Sequence, residues 1–173
     1  MALNYPNELR DPVHGLIRLS DQEIELINTG PFQRLRRIRQ LAAADLVFPG
    51  AVHTRFDHSL GTMHIAGRLL NHLRLTNEID DSDVEIVRLA ALLHDIGHGP
   101  FSHVSDYLLG KYYDKATVGE TPREKIHEKV TVDIINNLEV ISSLLTTNQK
   151  IGISKIILGD SSRDYRRDIE RYC

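Results

Sequence analysis

The nine histidines of this 173-residue sequence are spread unevenly, and the densest group is His94, His98 and His103, with Asp95 and Asp106 among them. Adjacent His94 and Asp95 fall where an apolar stretch, Leu89 to Leu93, runs into Gly97. A helix ending there projects both side chains from its inner end, where an ionised aspartate is costly unless it is paired or ligates a metal. A lone pair of this kind is more often a helix C-terminal histidine beside an aspartate bonded to backbone N–H groups. A third ligand changes that balance. His58, in Arg55-Phe56-Asp57-His58-Ser59-Leu60-Gly61, opens another helix, and if the two helices pack, two imidazoles and a carboxylate can meet at one point. Mixed nitrogen and oxygen ligands suit Mn, Fe, Ni, Zn or Mg rather than Cu(I) or an iron–sulfur cluster.

His98 and His103 flank Gly99-Pro100-Phe101-Ser102, a turn that begins a short helix carrying Asp106 three residues after His103 and on the same face. A carboxylate beside a histidine holds its tautomer and raises its pKa, as a general acid needs. The alternative is an exposed pair worth about 0.2–0.5 kcal/mol. His127-Glu128 is a weaker echo of the same chemistry.

The elements that must position these residues read as helical. Ser20-Asp21-Gln22-Glu23 fits a capping box, followed by Ile24 and Ile27 and closed by Gly30. Phe32, Leu35, Ile38, Leu41 and Ala42 recur at helical spacing, which predicts one buried face flanked by Arg34, Arg36, Arg37 and Arg39. A third helix is predicted from about His58 to Leu75 with Leu60, Met63, Ala66, Leu69, Leu70 and Leu73 inward. Ser82-Asp83-Val84-Glu85 opens the helix that leads to His94, and Thr121-Pro122-Arg123-Glu124 opens another, with proline where its missing N–H costs nothing. Val13 to Leu19 could form a small hairpin around Gly15, while 43–57 and 110–121 read as loops and Asp160 to Arg171 as a solvated helix. The fold class is therefore all-α, a single domain over 1–173 with a small hairpin near 12–19.

Composition narrows the setting. A hydrophobic content of 41% in 173 residues supports one domain without a disulfide or structural metal, so a metal would serve chemistry. A net charge of −3 argues against dedicated nucleic-acid binding. The longest apolar run, Leu89 to Leu93, is far short of a bilayer span, the start lacks the regions of a signal peptide, and the one cysteine is Cys173. A protein of the reducing cytoplasm, without a membrane partner, is the expectation.

Five segments together carry a resemblance: Asp11-Pro12-Val13-His14-Gly15, Phe32-Gln33-Arg34-Leu35-Arg36, Val47-Phe48-Pro49-Gly50-Ala51, Arg55 to Gly61, and His94-Asp95-Ile96-Gly97-His98-Gly99-Pro100-Phe101-Ser102-His103. They resemble consecutive blocks of the HD-domain deoxynucleoside triphosphate triphosphohydrolases, over about residues 10–135. The resemblance implies a helical HD domain that hydrolyses deoxynucleoside triphosphates to deoxynucleoside and triphosphate. It implies a divalent metal on His58, His94 and Asp95, Arg55 on the α-phosphate, and Gln40 and Leu41 near sugar and base. His98 and His103 would face the phosphates, with Asp106, His127 and Glu128 completing the network around His103. In-line attack at phosphorus needs an acid for the departing oxygen, which suits His103, and a planar donor fork for phosphate, which suits Arg55. Gln33 and Arg36 match the family's allosteric nucleotide pocket, while Asn28 stands where some relatives carry an aspartate.

The family's fourth ligand comes from a later block, resembling Leu-Asp-x-Asp-Arg-x-Asp-Tyr, which does not occur here; Asp164-Tyr165-Arg166 is not that block. The chain is thus expected to be the N-terminal portion of a longer, homo-oligomeric enzyme, with weakened metal binding, little activity alone and exposed apolar surface. Two other functions stay open: an HD phosphohydrolase acting on another nucleotide phosphoester, and a non-catalytic nucleotide-binding or assembly module using Arg34 to Arg39 and Arg55.

Overall fold

The computed structural model describes residues 4–75, 79–101, 103–112 and 125–159, and for residues 103, 104, 109 and 110 the backbone alone. The helix start expected at Thr121 to Glu124, residues 113–121 of the expected loop and the segment from Asp160 therefore lie outside the described residues. Strands β1 (Asn7–Asp11) and β2 (Gly15–Leu19) form an antiparallel hairpin, with Asn7 opposite Leu19 and Asp11 opposite Gly15. It starts six residues before the expected Val13, because Val13 is in the turn. The Asp11 carboxylate accepts from the N–H groups of Val13 and His14, and Gly15 takes the left-handed backbone (φ +74°) that closes the turn.

Helix α1 (Asp21–Asn28) has the expected capping box, in which Ser20 accepts from the Glu23 N–H and Glu23 accepts from the Ser20 N–H. Thr29, rather than Gly30, ends it, and Gly30 already belongs to α2 (Gly30–Gln33), which tightens into a 3₁₀ turn over Arg34–Arg37. The single helix expected to reach Ala42 breaks at Ile38, which is extended. The cause is pairing across the chain: the Arg55 N–H donates to the Ile38 carbonyl at 2.9 Å, the Gln40 N–H donates to the His53 carbonyl at 3.1 Å, and Arg39 bridges Thr54. Phe32, Leu35 and Ile38 are buried as the spacing required, whereas Leu41 is 51% exposed. A short 3₁₀ turn, Ala44–Leu46, interrupts the loop that follows.

Helix α3 (Arg55–Arg74) begins three residues earlier than expected, because Thr54 and Asp57 form a capping box. This removes Arg55 to Asp57 from the predicted loop and puts Arg55 one turn from His58. Leu60, Met63, Leu70 and Leu73 face the core; Leu69 turns outward and Ala66 is half-buried. Helix α4 (Asp81–Leu93) is capped by Asp80, which accepts from the Asp83 N–H, two residues before the expected Ser82. It packs along α3, burying Leu89, Leu92 and Leu93. Helices α5 (His103–Tyr112), α6 (Ile126–Asn137), α7 (Glu139–Ser142) and α8 (Thr147–Leu158) complete the bundle, with Ile135, Ile141 and Ile153 in the same core. Residues 110–112 are thus helical rather than loop.

One buried ion pair ties the outer elements to α4. The Arg88 guanidinium donates twice to Glu23, at 2.8 and 2.9 Å, and once to the Arg18 carbonyl at 3.0 Å, joining α1, β2 and α4. Gly67 on α3 makes room for that guanidinium, since a Cβ there would collide with the Arg88 Nη1. No helix among the described residues is long and apolar enough to cross a membrane.

Candidate metal centre

The end of α4 meets the first turn of α3, and the helix packing that aligns these two termini brings His58, His94 and Asp95 to one point. The two Nε2 atoms of His58 and His94 are 3.2 Å apart, and Asp95 carboxylate oxygens lie 3.3 Å from His94 Nε2 and 3.9 Å from His58 Nε2. Tautomers follow from the surroundings. His94 Nδ1 donates to the Ala91 carbonyl at 2.8 Å, so its Nε2 presents a lone pair to the cluster. Burial lowers the pKa of His58 below the ordinary imidazole value of 6.5, against the opposing pull of Asp95. A neutral imidazole is the form that ligates a metal.

These residues fit a divalent cation: His58 Nε2 donates to the bare Nε2 of His94 at 3.2 Å, and a cation taking the place of that proton would meet two imidazole nitrogens and the Asp95 carboxylate. Asp95 is itself held from below. Arg55, 2% exposed, donates to Asp95 Oδ2 at 2.5 Å, and this pairing is what lets an aspartate sit buried at a helix end. The expected phosphate contact at Arg55 therefore coincides with a residue that is already the support of the carboxylate.

A second cluster stands behind the first. His98 Nε2 lies 3.5 Å from Asp95 Oδ1, its Nδ1 lies 3.8 Å from Asp106 Oδ1, and His127 Nδ1 donates to Asp106 Oδ2 at 3.2 Å. The His98 and His127 rings stack with centroids 3.8 Å apart and 17° between planes. Asp106 is 2% exposed, which overturns the alternative of a surface pair on α5. His98, 1% exposed, is a buried link between the two carboxylates. Glu128 is half-buried beside His127 on α6, and His103 begins α5 with its side chain outside the described residues.

Gln40 and Leu41 follow Arg39, with the Gln40 N–H donating to the His53 carbonyl and Leu41 half-exposed. A cavity of about 220 Å³ beside His58 is lined by Asp11, His14, His53, Asp57 and Thr62. His14 there was quoted in the resemblance without a role; the Asp-Pro-Val-His-Gly turn that places it was its signal. Gln33 and Arg36 come together: the Arg36 Nε donates to Gln33 Oε1 at 2.8 Å, and the guanidinium lies 3.5 Å over the Phe56 ring. With Gly30, Arg34 and Arg37 they line a cavity of about 400 Å³.

The sequence profile of the HD domain matches residues 55–160. An uncharacterized protein of Methanocaldococcus jannaschii is 42% identical over 156 residues, covering 90% of this chain and 31% of that protein. The human deoxynucleoside triphosphate triphosphohydrolase SAMHD1 is 48% identical over 101 residues, covering 57% of this chain and 16% of that protein. The crystal structure of a hypothetical protein from Aquifex aeolicus superposes with a TM-score of 0.67 at 36% identity, covering 88% of this chain and 37% of that one. The chain thus spans less than two fifths of the length of each of these three.

Proposed function

The chain belongs to the HD domain family, and we propose that it is a metal-dependent phosphohydrolase acting on deoxynucleoside triphosphates, releasing deoxynucleoside and triphosphate. The observation that carries this reading is the convergence of His58, His94 and Asp95 directly in front of the buried His98–Asp106–His127 network. The likeness to the triphosphohydrolase SAMHD1 supports the substrate class.

His58, His94 and Asp95 would hold the ion, whose chemistry when bound is that of a Lewis acid, polarising a phosphoryl oxygen and acidifying water. Arg55 fixes the Asp95 carboxylate, and through it the metal site on which an α-phosphate would sit. His103, one turn before Asp106 on α5, protonates the departing sugar oxygen, and His98, Asp106, His127 and Glu128 orient it. Gln40 and Leu41 border sugar and base. The cationic cavity around Gln33 and Arg36 takes an effector nucleotide, and the working assembly is a homo-oligomer.

The test couples metal content to product identity. Plasma mass spectrometry after equilibration with Mn, Fe and Zn should find near-stoichiometric metal in the wild-type chain and little in Asp95→Ala. In a chain extended to the length of its relatives, ion-pair chromatography should then detect triphosphate from deoxynucleoside triphosphates, with turnover lowered and metal retained in His103→Ala. Unchanged metal in Asp95→Ala refutes the ligand set. Hydrolysis confined to nucleoside monophosphates or cyclic nucleotides moves the substrate to another phosphoester.

A further inference from the structure

Thr131 on α6 is fully buried, and its hydroxyl makes two hydrogen bonds to the turn that carries the metal ligands. It donates to the carbonyl of His94 at 3.0 Å and accepts from the N–H of Gly97 at 3.0 Å. These two backbone groups bracket Asp95 and Ile96 where α4 ends, a place where a helix leaves carbonyls without partners of their own. The approach is close enough to need glycine: a Cβ on Gly97 would stand 2.5 Å from the Thr131 backbone nitrogen and 2.7 Å from its hydroxyl, and would collide with the His127 carbonyl. One turn before Thr131 on the same helix, His127 bonds Asp106.

We infer that Thr131 is a positioning residue for the metal centre: its hydroxyl clasps the His94–Gly97 turn and so fixes the ligands His94 and Asp95 against the His127–Asp106 pair. The physical reason is over-determination. The Asp95 carboxylate can meet His58, His94 and His98 at once only if the turn keeps one backbone path, and a hydroxyl serving a donor and an acceptor three residues apart selects that path. Valine has the volume of threonine without the donor or acceptor, whereas serine keeps the hydroxyl and drops the methyl.

The experiment compares the wild-type chain with Thr131→Val and Thr131→Ser by two readouts. Amide hydrogen exchange at Gly97 should be at least tenfold faster in Thr131→Val and within threefold of wild type in Thr131→Ser, with the Ile135 amide on the same helix unchanged in both. Mn(II) affinity by calorimetry should fall about tenfold in Thr131→Val and return to within threefold in Thr131→Ser. An Ile153→Val variant, distant from the site, gives the reference for a loss of packing alone and should leave Mn(II) affinity unaltered. Equal protection of Gly97 in all three chains overturns the clasp, and equal behaviour of the valine and serine variants assigns the position to packing of the methyl group. Should Thr131→Val fail to fold, Thr131→Ala against Thr131→Ser carries the same contrast. The affinity arm rests on the proposed metal reading and the exchange arm does not: a wild-type chain that binds no Mn(II) fails that reading, while the Gly97 amide still decides the clasp.

Discussion

Replacing Arg55 by methionine tests the electrostatic design of the site at a buried ion pair. The Arg55 and Asp95 side chains are 3% and 4% exposed and 2.5 Å apart, so Arg55→Met leaves a desolvated carboxylate whose remaining neighbours are the imidazoles of His58, His94 and His98. Breaking a buried pair by removing one partner costs about 3–5 kcal/mol, most of it the penalty of the orphaned charge. Removing that charge as well, in Arg55→Met with Asp95→Asn, should recover part of the loss, with a coupling of about 0.5–3 kcal/mol. Urea unfolding of the chelated chain, followed by far-ultraviolet circular dichroism, reads these differences directly. Mn(II) at about 100 times its dissociation constant adds about 2.7 kcal/mol to any chain that binds it only when folded. Because an ion supplies positive charge to the same carboxylate, Arg55→Met should retain a metal-dependent gain in stability that Asp95→Asn loses. A chelated Arg55→Met within about 0.5 kcal/mol of wild type, the range of ordinary surface changes, would show that Asp95 does not depend on Arg55 and refute the reasoning.

Two further perturbations address the frame and the ligands. Glu23→Ala removes the carboxylate that receives two of the three Arg88 hydrogen bonds and caps α1, and should lower stability by about 3–5 kcal/mol in urea unfolding, while the apolar pair Glu23→Leu with Arg88→Met should lose less. In the chelated chain, burial lowers the His58 pKa in the folded state below the unfolded value near 6.5, so the unfolded chain binds the proton first as pH falls. Stability should therefore decline on acidification below about pH 6.5, and this component should vanish in His58→Gln; an identical pH profile in that variant would assign the decline to other groups.

The convergence of His58, His94 and Asp95 was legible because its signals are local. His94-Asp95 at the end of an apolar run and His58 at a helix start require only that two helices pack, and they do. Asp106 was legible as a partner for histidine, but its burial was not, and its association with His127 came only from the resemblance, since 21 residues separate them and no periodicity links α5 to α6. Helical spacing over Phe32 to Ala42 misled for a definite reason. Ile38 and Gln40 find backbone partners at Arg55 and His53, and that non-local pairing outweighs a local preference worth fractions of a kcal/mol per residue. Thr131 gave no signal at all: a threonine inside a helix has neither charge nor period, and its meaning comes from the turn it touches. The caps lay between these extremes, where Asp80 and Thr54 each open a helix with an aspartate three residues on, a pattern as local as the serine boxes but easier to pass over.

The backbone pairing of 38–40 with 53–55 also divides labour within the chain. It closes residues 41–52 into an Ω-loop whose neck is held by main-chain bonds and whose crown presents Leu46, Val47 and Phe48 to the outside. Arg55 lies in the neck and His58 one turn beyond it, so both are anchored by the main-chain bonds of the neck. Such a loop can be lengthened, shortened or rewritten at its tip while the segment that carries Arg55 and His58 keeps its main-chain anchor.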